Sequence, residues 1–84
     1  MIDLDFKRWL ISNTTYTNRV IGDTISRLKR ADRIHPIRPE EVYLFELEHI
    51  GEFKNLSVTV RSQIRKAVKL YFQYMKSEVV EEDK

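Results

Sequence analysis

The stretch from Ser57 to Met75, SVTVRSQIRKAVKLYFQYM, has the pattern of one long amphipathic helix. Its apolar residues recur at the i, i+4, i+7 spacing of one helical face, namely Val60, Ile64, Ala67, Tyr71 and Met75. At ~100° per residue, the opposite face carries Ser62, Arg65, Lys69, Gln73 and Lys76, with Arg61 and Lys66 on its flanks. Because no acidic residue occurs from Ser57 to Ser77, we expect this basic face to meet an anionic partner such as phosphate.

The length and composition predict one small domain. The chain has 84 residues, a formal charge of +2 and no cysteine, so it has no disulfide and no thiolate chemistry. No apolar run approaches the ~18–20 residues of a membrane span, and the first residues do not have the pattern of a signal peptide. We therefore expect a cytoplasmic protein with no membrane partner.

The charges are segregated along the chain. Residues 1–34 and 57–76 are basic, whereas residues 35–56 and 77–84 are acidic. Such a distribution predicts a dipolar surface, although either basic run alone is also what an ordinary solvated helix face carries. We expect the domain to occupy residues 1–76 and the acidic tail 77–84 to fray.

Two helices are predicted before the first proline. Residues 2–12 have an apolar face formed by Phe6, Trp9 and Leu10, with Asp3 as a candidate N-cap. The second helix runs from about Asn18 to Arg33, after a cap at Thr15 or Thr17. Its buried stripe is Ile21, Ile25 and Leu28, and Gly22 is a candidate for a close helix crossing.

A third helix follows the proline-rich segment HPIRP, since two prolines three residues apart exclude a helix interior. This helix is predicted to start at Pro39 or Glu40 and to stop at Gly51. Its apolar surface comes from Val42, Leu44, Phe45, Leu47 and Ile50, and its acidic residues should face away from a polyanion. Residues 52–56 form a link to Ser57, the N-cap of the last helix, which completes a compact all-α, four-helix bundle.

Signals of catalysis are weak in this sequence. There are two histidines, His35 and His49, so a tetrahedral zinc site is not expected, and the two isolated glycines form no phosphate-binding loop. No nucleophile and base are recognisable as a pair. We therefore expect no enzymatic activity, no metal, no cofactor and no small-molecule ligand.

The positive signal is the pairing of an apolar stripe with a basic or hydroxyl-rich face on two helices. Such a helix fits the major groove of duplex DNA, where cations reach phosphates and guanine edges and polar side chains add hydrogen bonds. The predicted DNA-binding residues are Arg19, Arg27, Lys29 and Arg30 on the second helix and Arg61, Ser62, Arg65, Lys66, Lys69 and Gln73 on the last.

The order of these features resembles a known family. The segments FKRWL, TYTNRVIGDTISRLKRADRI, FKNLS and VRSQIRKAVKLYFQYM are similar to the N-terminal core-binding domain of phage integrases and other tyrosine recombinases. The resemblance implies a SAM-like four-helix fold that clamps double-stranded DNA with its second and fourth helices. It also implies a role in the integration or recombination of mobile DNA.

The catalytic domain of that family has no counterpart in these 84 residues. His35-Pro36-Ile37-Arg38 matches the family's His-x-x-Arg motif but lies in the proline-broken linker, so we interpret the match as chance. The chain is then an excised domain or a free-standing relative that binds DNA, a recombinase catalytic domain or another protein.

A second hypothesis is a protein-interaction module without DNA binding. The acidic third helix and tail would bind a basic partner, or the domain would self-associate through Tyr71, Phe72 and Tyr74. Those aromatic residues also suit core packing. Dependence of binding on salt separates the two hypotheses, because phosphate contacts release counterions whereas an apolar interface does not.

Overall fold

The computed structural model shows an all-α bundle, which confirms the predicted fold class. It describes residues 4–38 and 40–82, the last six of them as backbone only. The helices are α1 (Leu4–Asn13), α2 (Asn18–Ile34), α3 (Val42–Glu48), α4 (Gly51–Lys54) and α5 (Val58–Glu82). Helix α5 continues past Met75, so the backbone at residues 77–82 is helical.

Two of the predicted caps start the longest helices. The Thr17 hydroxyl accepts a hydrogen bond from the Val20 amide at 3.3 Å, and the Ser57 hydroxyl accepts one from the Val60 amide at 3.2 Å. Each bond satisfies an amide that has no partner within its helix. Thr17 rather than Thr15 is therefore the cap of α2, whereas the proposed cap at Asp3 lies outside the described residues.

The core forms where α2 packs against α5 and α1 covers one end of the pair. Ile21 and Leu28 from α2 and Ile64 from α5 are fully buried, as their spacing predicts. Phe6 of α1 contacts an aromatic group on α5, with ring centroids 5.2 Å from Tyr71 and 5.5 Å from Tyr74. The aromatic end of α5 is thus packed against α1.

The predicted third helix is wrong in its bounds, because two short helices replace it. Helix α3 ends at Glu48, and Gly51, the predicted stop, is the first residue of α4. Neither glycine in the chain has the positive φ that makes glycine a helix terminator. The predicted link at 52–56 instead contains Phe53, which is buried, and burial of this ring explains why the chain turns and makes a second short helix.

The apolar side of α3 is also rotated from the prediction. Tyr43 and Leu47 are buried, whereas Val42 is 50% and Phe45 is 67% exposed. The Tyr43 hydroxyl fixes this rotation, because it donates to the His35 carbonyl at 2.6 Å and lies 3.3 Å from that of Ala31. The close helix crossing proposed at Gly22 is wrong as well, since Gly22 is exposed and has open space around it.

Candidate nucleic-acid interface

A groove of about 200 Å³ lies between α2 and α5. Its lining includes Arg27 and Val20 from α2 and Lys66 and Leu70 from α5. Among the residues that the structure describes, no acidic side chain lines the groove. Asp23 stands one turn before Arg27 on the same helix, but makes no ion pair with it among the described residues. The groove therefore carries one cation from each of the two predicted basic helices.

The exposed face of α5 continues this groove. Ser62, Lys66, Lys69 and Gln73 border a shallow hollow of about 460 Å³ that shares Lys66 and Leu70 with the groove. The described residues that line the hollow all belong to α5, so it is an open part of the helix surface rather than a pocket for a small molecule. Lys66 also approaches the Tyr16 ring, with its Nζ 5.8 Å from the ring centroid. The basic ridge is defined here as Ser62, Lys66, Lys69 and Gln73.

Arg65 is less free than its position on the sequence pattern predicts. Its Nε donates to Glu48 Oε2 at 2.9 Å, and its guanidinium lies 5.9 Å from the centre of the Phe53 ring. The side chain is 31% exposed. The expectation that Arg65 faces solvent directly is therefore corrected, because α3 and α4 supply a carboxylate and a ring beside it.

Arg61 also differs from the simple picture of a flank residue. It is partly buried, and its Nε is enclosed without a hydrogen-bond partner among the described residues. The side chain thus packs along the protein surface. Lys66 and Lys69, by contrast, are exposed and make no ion pair with any described residue.

The four predicted residues of α2 do not share one direction. At ~100° per residue, Lys29 lies about 160° around the helix from Arg27, which lines the groove. Arg30 and Arg19 lie within about 80° of Arg27 on the same basis. All three residues other than Arg27 are exposed. The structure thus brings Arg27 to the α5 surface and turns Lys29 toward the opposite flank.

A cluster of polar side chains with one carboxylate joins the proline-rich segment to α3. Glu46 Oε1 lies 3.0 Å from His35 Nε2 and 2.6 Å from Arg38 Nη2. The hydrogen bond from His35, with smaller contributions from Arg38, holds the pKa of Glu46 below its ordinary value. The His35-x-x-Arg38 sequence therefore fastens the proline linker to α3. In the described residues, no three His, Asp or Glu side chains converge as metal ligands.

Besides Arg27 and Lys66, the groove is lined by residues that the sequence pattern did not mark as binding residues, namely Tyr16, Val20, Thr24, Gln63, Ala67 and Leu70. For Leu70, the signal is an apolar side chain one turn from a basic residue, since Leu70 follows Lys66 by four positions. In a sequence, an apolar residue at this spacing has the same pattern as a residue of the hydrophobic core.

Comparisons with models of protein families, with characterised proteins and with solved structures yielded no match. Among the described helices, none combines the length and the apolar character needed to cross a membrane.

Proposed function

We propose that this domain binds double-stranded DNA without catalysing a reaction on it, through the α2–α5 groove and the basic ridge. The observation that carries the proposal is that Arg27 and Lys66 line one groove, in which no described acidic side chain takes part. Two cations on neighbouring helices can each neutralise a phosphate of one duplex, and such contacts supply most non-specific affinity.

Each side chain has an assigned role in the proposal. Arg27, Lys66 and Lys69 contact phosphates, and Ser62 and Gln73 donate or accept hydrogen bonds at the backbone or base edges. Arg19 and Arg30 add contacts from the exposed side of α2 next to Arg27. Arg61 contributes from the border of the surface, and Arg65 contributes where its guanidinium is released from Glu48. Lys29 contributes least, because it lies on the other flank of α2.

The wider role that we propose follows the resemblance to the core-binding domain of integrases and tyrosine recombinases. The domain would act in the cytoplasm in the integration or recombination of mobile DNA, with a recombinase catalytic domain or another protein as a further partner. A single domain of this size should bind with a Kd of about 10⁻⁴–10⁻⁶ M at physiological salt.

The proposal is tested by removing the two groove cations. In the double variant Arg27→Gln/Lys66→Gln, two phosphate contacts are lost while the aliphatic parts of both side chains stay. The slope of log K against log salt should fall by about 1.8 in magnitude. Between 50 and 200 mM salt, the wild-type domain should then lose about twelvefold more affinity than the variant. Fluorescence anisotropy of a labelled duplex measures both slopes.

The matched control is Lys29→Gln/Arg33→Gln, which removes the same charge from exposed residues on the other flank of α2. This control should keep nearly the wild-type slope. Equal losses in the two double variants would contradict the proposed surface, because they would show that only net charge matters. Circular dichroism melting of both variants confirms that they remain folded.

A specific observation favours a second candidate, the protein-interaction module. Val42 and Phe45 lie exposed on α3, three residues apart and therefore on one face, beside the acidic residue Glu41. A basic partner with an apolar pocket would fit this face. Phe45→Ser should abolish such an interaction and leave DNA affinity unchanged, which a pull-down and a duplex titration measure separately.

A further inference from the structure

One cation on the α5 surface is already engaged in the free protein. Of Arg61, Arg65, Lys66 and Lys69, only Arg65 makes an ion pair within the described part of the chain. Its Nε lies 2.9 Å from Glu48 Oε2, and the two side chains are 31% and 41% exposed. A pair at this level of exposure is open to competition by another anion.

The position of this pair makes the competition relevant to the proposed surface. Arg65 borders the same hollow as Lys66 and Lys69, whereas Glu48 is the last residue of α3. The pair therefore lies at the boundary between the basic ridge and the acidic segment. A phosphate that binds Arg65 must displace the Glu48 carboxylate from the guanidinium. If both anions bound Arg65 together, they would lie close enough to repel each other.

We infer that Glu48 lowers the affinity of this surface for DNA, because its ion pair with Arg65 keeps the guanidinium from contacting a phosphate. Glu48 thus acts as a positioning residue for Arg65. The inference rests on the proposed function, since it concerns the same surface. In the free protein the carboxylate also holds the guanidinium against Phe53, at 5.9 Å from the ring centre. Release of Arg65 from Glu48 then adds one cation to those that meet the duplex.

The variant Glu48→Gln tests this role directly. Glutamine keeps the size of the side chain and can still accept the hydrogen bond from Arg65 Nε, but it carries no charge. Affinity for a duplex at low salt should rise about two- to fivefold, the range that corresponds to the loss of a partly exposed ion pair. The slope of log K against log salt should steepen by about 0.9, because one more phosphate is contacted.

The matched control is Glu41→Gln. Glu41 precedes Glu48 by seven residues and lies about 20° from it around the helix, so the change removes the same charge from the same flank. Glu41 makes no ion pair with any described residue. A third comparison adds Glu48→Gln to the variant Arg65→Ala. Without Arg65, Glu48→Gln should raise DNA affinity no more than Glu41→Gln does.

The outcomes separate the inference from the proposed function. If the wild-type domain binds DNA but Glu48→Gln gains no more than Glu41→Gln, the inference is overturned and the proposed function stands. A gain that persists without Arg65 overturns it too, because the effect would then be one of net charge. If Glu48→Gln lowered the melting temperature without raising DNA affinity, Glu48 would have only a structural role, which also overturns the inference. Absence of wild-type binding at low salt overturns both claims.

Discussion

At the scale of single residues, Tyr43 is the side chain that most constrains the middle of the chain. It is fully buried, its hydroxyl donates to the His35 carbonyl at 2.6 Å, and its ring stacks on the His35 ring with centroids 5.0 Å apart. Burial, with a smaller contribution from the nearby charge of Asp32, raises the pKa of Tyr43 to about 12. The residue thus joins α2, the linker and α3.

The raised pKa predicts a loss of stability in alkali. Tyr43 binds its proton more tightly in the folded state than in the unfolded state, where the pKa is 10.0. Its contribution is therefore complete below pH 10 and disappears as the pH rises toward 12. We expect Tyr43→Phe to lower the free energy of unfolding by about 1 kcal/mol at neutral pH, because the hydroxyl bond is lost.

Urea unfolding of both proteins across the alkaline range measures this effect. The difference in unfolding free energy between wild type and Tyr43→Phe should be constant below pH 10 and shrink above it. Effects of pH on the other side chains are common to both proteins and cancel in the difference. If the difference in unfolding free energy between the two proteins stayed constant up to pH 12, the raised pKa of Tyr43 would be contradicted.

At the scale of helices, the sequence pattern predicts α2 and the start of α5 well, but it places the end of α5 at Met75 instead of Glu82 and predicts the short helices poorly. The bounds Asn18–Ile34 of α2 differ by one residue from the prediction, because Thr17 caps the helix and Ile21 and Leu28 set a clear apolar period. Helices α3 and α4 lack such a period, and their rotation is fixed by tertiary contacts of Tyr43 and Phe53. Those contacts join distant segments, so local spacing does not reveal them.

Gly22 gives an element-scale prediction. It lies in the interior of α2 and is exposed, and no described atom outside its two chain neighbours and the backbone of its own helix lies within 4 Å of the place where a Cβ would stand. Gly22→Ala should therefore raise the free energy of unfolding by about 0.5–1 kcal/mol, because alanine loses less backbone entropy in a helix. Chemical denaturation measures the change.

The same variant should leave DNA affinity unchanged. Position 22 lies about 140° around α2 from Arg27, away from the groove. A destabilised Gly22→Ala protein would show that a neighbouring segment does approach this glycine closely, which would contradict the open space described here.

At the scale of the whole molecule, the distribution of paired and unpaired charge defines the candidate surface. The basic character of α5 from Val58 to Lys76 could be predicted from the sequence, since this part of the helix contains no acidic residue. The pairing of Arg65 with Glu48 and the separate directions of Arg27 and Lys29 could not be predicted. They depend on how α3 and α2 are rotated against α5, which core packing decides.

The dimensions of the domain set the design of the binding experiment. Its longest extent is 41 Å, which matches about 12 base pairs at ~3.4 Å per pair. A duplex of about 20 base pairs therefore accommodates one domain with room at both ends. A mainly apolar protein interface elsewhere on the molecule would not respond to this probe.

The most direct test of the central claim is a titration of the domain with such a duplex at low and moderate salt, followed by amide chemical shifts. The account predicts shifts concentrated around Arg27 on α2 and from Ser62 to Gln73 on α5, with smaller changes at Lys29, and a decrease as salt rises. Absence of shifts at low salt, or shifts centred on α3 around Phe45, would contradict DNA binding through the α2–α5 surface.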